Sequence, residues 1–331
     1  MVSGNCRNTL LGGLNSCARS EAVIKLLLVA RPQFSIFGLA LFVFGVTWAV
    51  KLRAPFVFSR VLLGYLVLLP AQLSVSYSND YFDVKVDQYG QPTFFSGGSG
   101  ILVTHPDLRK SALWMAIALM GCSLTLGLVF QVLYSFSLWF SGFVVLFNLL
   151  GWFYTAPPVR LVYRGLGEVA LIFLIGLLIP GFGYLVTTGE LNQAAWPFVV
   201  PLMLYGLAFS LAVEIPDMEA DRLGHKRTWV ARRGRGFGFG LIAAALLCAS
   251  LFFLGFPWFN SRGYPLDFRL LGLLSLLPLG AAGLGLLKQA LARQAATRMA
   301  NGIMVTLAIF CLLADGYLIY LTFNSMPFGS P

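Results

Sequence analysis

Charge is what this chain has least of. Only 11% of its 331 residues are Asp, Glu, Lys or Arg, against roughly 25% in soluble domains, which excludes a water-soluble fold. Acid is scarcer than base, with 13 Asp and Glu against 23 Lys and Arg. The two histidines, His105 and His225, are too few for a histidine-built metal centre. Cys6, Cys17, Cys122, Cys248 and Cys311 are scattered and form no C-x-x-C, so neither a disulfide framework nor a zinc site is expected. No small-residue cleavage site follows a compact apolar core near the N-terminus, which excludes a cleavable signal peptide. Linkers and low-complexity segments are absent too. One helical domain over residues 31–325 is therefore expected, preceded by a tail at 1–30. Within that tail, residues 20–30 form a basic amphipathic stretch. It is either a helix lying flat on the membrane or a disordered lead into the first span.

Apolar residues are abundant instead. They make up 58% of the chain, and the mean hydropathy is +0.80. Runs of about 20 apolar residues are long enough to cross a bilayer. They fall at 34–52, 59–79, 111–130, 133–154, 166–187, 195–215, 237–258, 268–288 and 299–323. An all-α membrane protein of about nine transmembrane helices follows. The run at 133–154 is the weakest, since only a few residues around Tyr134 separate it from the one before.

The net charge of +10 does not point to nucleic acid, because its distribution follows membrane topology. When the N-terminus and every even-to-odd loop are put on one side, only Lys51, Arg53, Arg60, Arg262 and Arg269 lie on the other. By the positive-inside rule that richer side is cytoplasmic. It carries two long loops, expected at 80–110 and 216–236. A multi-pass protein of the cell inner membrane is the expectation, with the lipid bilayer as its partner.

Two short segments then stand out. Asn79-Asp80-Tyr81-Phe82-Asp83-Val84-Lys85-Val86-Asp87 closes the second span, and Glu214-Ile215-Pro216-Asp217-Met218-Glu219-Ala220-Asp221 closes the sixth. Together they hold seven of the 13 carboxylates. Carboxylates at such depth are costly and mark sites. On a helix Asp83 and Asp87 share a face, as do Asp217 and Asp221, each pair about 6 Å apart along the axis. Either segment alone could be a solvated helix end, but the repeated D-x-x-x-D step at mirrored places argues against that. The spacing hints at two pseudo-repeated four-helix units plus one helix, facing each other around a central cavity. Opposed acidic faces suit hard divalent cations such as Mg²⁺, whose shell substrate phosphate oxygens complete. The same repeat logic fits an ion-coupled secondary transporter. Acids at helix ends, followed by long basic loops, favour phosphate chemistry.

The pattern resembles the UbiA-type membrane prenyltransferases, which carry N-D-x-x-D-x-x-x-D after helix 2 and D-x-x-x-D after helix 6, the latter followed by a Gly, a Lys and a Thr. Here those are Gly224, Lys226 and Thr228. Tyr154-Thr155-Ala156-Pro157-Pro158-Val159-Arg160, Tyr163-Arg164-Gly165-Leu166-Gly167-Glu168 and Arg31-Pro32 agree as well. The likeness covers roughly residues 30–320. It implies Mg²⁺-dependent transfer of an isoprenyl chain from a prenyl diphosphate to an aromatic acceptor in quinone-type lipid biosynthesis. Asp83, Asp87, Asp217 and Asp221 would hold the metals with Asn79 and Asp80 assisting. Arg160, Arg164, Lys226 and Arg227 would neutralise the departing diphosphate, although each could equally be an ordinary positive-inside residue.

Aromatic faces stabilise an allylic cation. Among Tyr81, Phe82, Phe94, Phe95, Tyr154 and Tyr205, the one expected at the reacting centre is Tyr154. Ser96-Gly97-Gly98-Ser99-Gly100 is either a backbone nest for phosphate or a flexible loop. Asp315 stands alone in the ninth span without an assigned role. The family often carries Asn where this chain has Glu214. Its branch most resembles the enzymes acting on 1,4-dihydroxy-2-naphthoate in menaquinone biosynthesis; homogentisate, 4-hydroxybenzoate, haem and chlorophyllide remain as alternative acceptors.

Overall fold

A computed structural model describes residues 20–193, 196–259, 264, 266–288 and 292–324. Among these residues every regular element is a helix, as a bilayer demands: backbone N–H and C=O groups must be satisfied within the segment itself. Residues 20–29 form α1. It exposes Val23, Ile24, Leu27 and Leu28 along one side and packs Ala22, Leu26 and Val29 toward the following bundle. The amphipathic stretch is thus a docked helix, tied down where the Tyr77 hydroxyl donates to the Leu26 carbonyl at 2.9 Å. The rest of the tail lies outside the described residues.

Arg31 then turns the chain through a left-handed conformation (φ 50, ψ 64) into α2 (Pro32–Lys51). Proline suits a first helical turn, whose N–H groups lack intrahelical partners. The remaining helices are α3 (Phe58–Asp87), the short α4 (Ile101–Thr104), α5 (Arg109–Leu133), α6 (Leu138–Trp152), α7 (Gly167–Thr188), α8 (Trp196–Leu223), the short α9 (Trp229–Arg233), α10 (Arg235–Phe259), α11 (Phe268–Leu287) and α12 (Arg293–Asn324). Eight of them are long and apolar enough to span a membrane. The remaining run, 133–154, is different. Its helix, α6, has only 15 residues, about 22 Å at 1.5 Å per residue and short of a hydrocarbon core about 30 Å thick. The cause is the sequence after Trp152, where Tyr154 to Pro158 leaves the helix for a turn.

A second difference concerns the acidic segments. α3 runs unbroken to Asp87 and α8 to Leu223, so the acids belong to the last turns of the helices rather than to the loops that follow. Pro70, Pro201 and Pro216 sit inside these helices. Arginines from later helices support α8 beside Pro216. Arg235 Nε donates to the Ile215 carbonyl at 3.1 Å and Arg293 Nε to the Pro216 carbonyl at 3.2 Å.

Packing divides around α2. On one side α2 joins α8, α10, α11 and α12 through Phe44, Trp48, Phe198, Phe253, Phe268 and Phe310. On the other it joins α3, α5, α6 and α7 through Phe42, Leu68, Phe130, Phe140 and Phe182. Glycine brings α7 and α2 into backbone contact. A Cβ on Gly45 would overlap the Pro180 carbonyl, and one on Gly183 the Phe42 carbonyl. Close approach through small residues is how helices associate in lipid, where no hydrophobic drive exists between them. Buried hydrogen bonds add to this, with Ser74 Oγ donating to the Ala116 carbonyl at 2.8 Å and Asn148 Nδ2 to Ser123 Oγ at 3.0 Å. Outward surfaces stay apolar, as at Leu251, Leu287 and Leu312. The chain is a multi-pass integral membrane protein.

Candidate active site

Between the two packed groups lie two adjoining cavities. The apolar one, about 210 Å³, is walled by α2, α3, α6, α7 and α8, with Phe34, Phe37, Leu68, Phe147, Ile179 and Phe209 among its lining. The polar one, about 100 Å³, lies where the C-terminal ends of α3 and α8 meet. Arg31, Asn79, Tyr154 and Val213 line both, so these four residues form the neck between them.

The acidic faces converge here because helical spacing aligns them. Asn79, Asp80, Asp83 and Asp87 on α3 and Glu214, Asp217 and Asp221 on α8 all line the polar cavity. Six like-signed groups at such proximity need counter-charge and donors. Lys226 supplies the charge, its Nζ 2.7 Å from Asp83 Oδ2 and 3.7 Å from Asp221 Oδ1, and so it ties the two helices together. Burial opposes its charge, but Asp83, Asp221 and Asp87 outweigh that and hold its pKa well above the usual lysine value. The Tyr163 hydroxyl donates to Asp83 Oδ1 at 2.7 Å. Burial first, and Asp83 second, raise that phenol above its ordinary value. Thr228 Oγ1 donates to Asp221 Oδ2 at 3.1 Å and Thr155 Oγ1 to Asn79 Oδ1 at 2.8 Å.

The loop after α3 folds back over this cluster. Gly97, Gly98 and Gly100 adopt left-handed φ values of 79, 63 and 70, a region open to glycine. The Gly97 N–H donates to Asp217 Oδ2 at 2.8 Å and the Ser99 N–H to Asp80 Oδ2 at 3.0 Å. Gln33 Nε2 anchors the loop to α2 through the Phe94 carbonyl at 2.7 Å. The Ser-Gly-Gly-Ser-Gly run is therefore an ordered clasp whose N–H groups point at carboxylates, not an open phosphate cradle.

Of the residues singled out from sequence, Asn79, Asp80, Asp83, Asp87, Asp217, Asp221, Tyr154 and Lys226 meet at one cavity. Arg160, Arg164 and Arg227 do not. They are exposed: Arg160 lies over the Tyr163 ring, its guanidinium carbon 4.7 Å from the centroid. Arg164 donates to the Pro158 carbonyl at 3.0 Å. Positive charge near a membrane face is ordinary, so type and spacing alone could not separate them from Lys226.

Arg31 is the cation that sequence reading passed over. Its Nη2 is buried without a hydrogen-bond partner, at the neck and beside the Phe34 ring, 4.6 Å from the centroid. Burial pulls its pKa below the usual guanidinium value, opposed by Asp80, Asp217 and Asp87. Its signal was Arg-Pro at a helix start, which reads equally as positive-inside charge. Tyr154 lies half-buried at the same neck; desolvation, then Glu214, push its phenol well above the ordinary range. Glu168 and Glu214 are both buried. They accept the Trp229 and Val230 N–H groups at the start of α9. Of the other aromatic candidates, Tyr205 stacks on Phe310 away from both cavities.

Among the described residues, no three carboxylate, imidazole or thiolate groups are gathered as a ready metal cage, since Lys226 and the loop N–H groups hold the acids. The donor chemistry nonetheless fits a hard cation, because it is all oxygen from two opposed helices. Asp217 Oδ1 is buried with no partner at all.

Comparison with known proteins agrees with this geometry. Residues 38–301 match the model of the UbiA prenyltransferase family. A 1,4-dihydroxy-2-naphthoate octaprenyltransferase of Bacillus subtilis (strain 168) is 25% identical over 185 residues. That match covers 56% of this chain and spans only 58% of the relative's length. A UbiA homologue from Archaeoglobus fulgidus, solved with GPP and Mg²⁺, superposes with a TM-score of 0.64 at 14% identity, over 90% of this chain and 99% of that one. An apo homologue from Aeropyrum pernix K1 gives 0.58 at 16% identity, over 84% and 98%. At such identities the structures speak for the fold.

Proposed function

This chain belongs to the UbiA prenyltransferase family, and on that premise we propose that it transfers an isoprenyl chain from a prenyl diphosphate to an aromatic acceptor with the help of Mg²⁺. One observation carries the reading: a carboxylate-lined polar cavity opens through a neck, where Arg31 Nη2 is buried without a hydrogen-bond partner, into an apolar cavity. An amphiphile with an anionic head and a hydrocarbon tail matches that pair of volumes. The Archaeoglobus homologues solved with DMAPP or GPP and Mg²⁺ support it.

Asp83, Asp87, Asp217 and Asp221, assisted by Asn79 and Asp80, would hold Mg²⁺. When bound, it supplies Lewis-acid neutralisation of the diphosphate. Everything else falls to the protein. The apolar walls take the tail and exclude water from the reacting carbon. In the transfer, the C1–O bond breaks with its electron pair leaving on the diphosphate. The arene supplies the pair for the new C–C bond, then loses a proton, or its carboxyl as CO₂, to recover aromaticity. Arg31 and Lys226 stabilise the charge that grows on the leaving group. The Tyr154 ring flanks the point where C1 becomes electron-poor, and its neutral hydroxyl adds no competing anion. Arg160, Arg164 and Arg227 face the approach from solvent and would steer the anionic donor rather than clamp it.

For the acceptor we favour 1,4-dihydroxy-2-naphthoate, hence a place in menaquinone biosynthesis, on the strength of the Bacillus relative. The charge asymmetry supports a cytoplasmic acidic end, in the cell inner membrane on this reading. The test is transfer of radiolabelled prenyl diphosphate by membranes containing this chain, offered dihydroxynaphthoate, homogentisate, 4-hydroxybenzoate, haem or chlorophyllide. A labelled lipid that needs Mg²⁺, forms with one acceptor and is lost in Asp217→Asn supports the reading. Product formation that survives chelation, or survives Asp217→Asn, refutes the carboxylate–metal role.

A further inference from the structure

The apolar cavity carries a polar seam that a hydrocarbon tail cannot use. Gln72, Ser76 and Asn79 follow each other on α3 at steps of four and three residues, which puts them on one helix face, and all three line the cavity. Gln72 Oε1 is buried without a hydrogen-bond partner. Its amide lies directly against Gly38 of α2, where any Cβ would overlap the Gln72 side chain. The glycine therefore makes room for an amide in a wall otherwise built from Phe34, Phe37, Leu68, Phe147 and Ile179.

A buried polar group left unpaired costs about 1–3 kcal/mol and asks for an explanation. Ser76 offers a hydroxyl one turn away. An isoprenyl chain has no polar atom to pair with the Gln72 amide. The second substrate does, because a ring activated for attack on an allylic carbon carries hydroxyl groups. Distance agrees as well. Gln72 is seven residues from Asn79, about 10 Å along the helix axis, so a group reaching it extends from the neck into the apolar cavity. A fused or single hydroxylated ring with its reacting carbon at the neck, beside Tyr154, would turn its far hydroxyl toward that amide.

Resting on the prenyltransferase reading above, we propose that Gln72, with Ser76 beside it, binds the acceptor. Its side-chain amide hydrogen-bonds a ring hydroxyl of a phenolic or naphtholic acceptor seated along the α3 wall of the apolar cavity, beside the isoprenyl tail. A site that hydrogen-bonds a substrate hydroxyl discriminates strongly against analogues lacking it, since the protein's own polar group is then left unpaired.

The experiment is two-substrate kinetics on the purified full-length protein in lipid nanodiscs, comparing wild type with Gln72→Leu, Gln72→Met and Ser76→Ala. Gln72→Leu is expected to lower kcat/KM for the acceptor tenfold or more while the donor KM stays within twofold. Acceptor analogues missing one ring hydroxyl at a time give the decisive arm. The analogue without the recognised hydroxyl should lose the same factor in wild type and nothing further in Gln72→Leu. Gln72→Met, which keeps the side-chain length, covers the case in which the leucine variant does not fold. An equal loss on every analogue, a donor KM that rises with the acceptor KM, or unchanged kinetics in both variants overturns the assignment. A wild type that makes no prenylated product with any acceptor overturns the reading beneath it instead.

Discussion

At the scale of single residues, the site is an exercise in compensating charge. Lys226 joins acids from two helices, so removing it strands buried carboxylates. Breaking one side of a buried pair costs about 3–5 kcal/mol. Lys226→Met should therefore lower the melting temperature of the detergent-solubilised protein as well as abolish transfer, and differential scanning fluorimetry beside the activity assay checks both. The sign with pH follows from the raised lysine pKa. Its contribution is complete below the ordinary lysine range and is lost as pH climbs through the higher folded value. Arg31 differs, having a buried Nη2 with no partner to strand. Arg31→Ala should leave the melting temperature near that of wild type and raise the donor KM tenfold or more. A donor KM unchanged in that variant would exclude Arg31 from diphosphate binding. Residue type pointed to the acids and to Lys226, whereas Arg31, Tyr163 and Thr155 needed coordinates, since each has a commonplace alternative in membrane sequences.

At the scale of elements, the helix periodicity of the D-x-x-x-D steps was enough to align the carboxylates on α3 and α8. Where those helices stop was not legible. Hydropathy ends the spans near 79 and 215, yet hydrogen bonding carries them to Asp87 and Leu223, because apolar content and helix continuity are separate properties. The glycine-rich loop is the other surprise. Its composition reads as flexible, but three left-handed glycines let it turn sharply enough to place two N–H groups on Asp217 and Asp80. Gly98 has φ 63, and a Cβ there would strike the Asp87 carboxylate. Gly98→Ala should then displace the clasp and cut transfer at least tenfold without loss of helicity. Circular dichroism together with the assay distinguishes this from unfolding, and full activity would mean the clasp is dispensable.

At the scale of the whole molecule, two packed groups of helices share α2 and enclose the paired cavities. All the acids that line the polar cavity lie at one end of the bundle. The α5–α6 turn lies a helix length away, with Val132, Leu138 and Trp139 exposed at its tip. In a cysteine-free background, Gln88→Cys and Ser137→Cys should label with an impermeant maleimide from opposite faces of sealed vesicles. Labelling of both from the same face would contradict the crossing of α5. By itself the sequence determined that the chain is a bundle of membrane helices bearing two acidic faces, because hydropathy and helical spacing are local properties of the chain. Only the tertiary structure decided which cations meet those acids, that a glycine loop covers them, and that an apolar cavity with one buried amide adjoins them. Those features depend on contacts between residues far apart in sequence, through backbone turns and glycine-mediated approaches that composition leaves open.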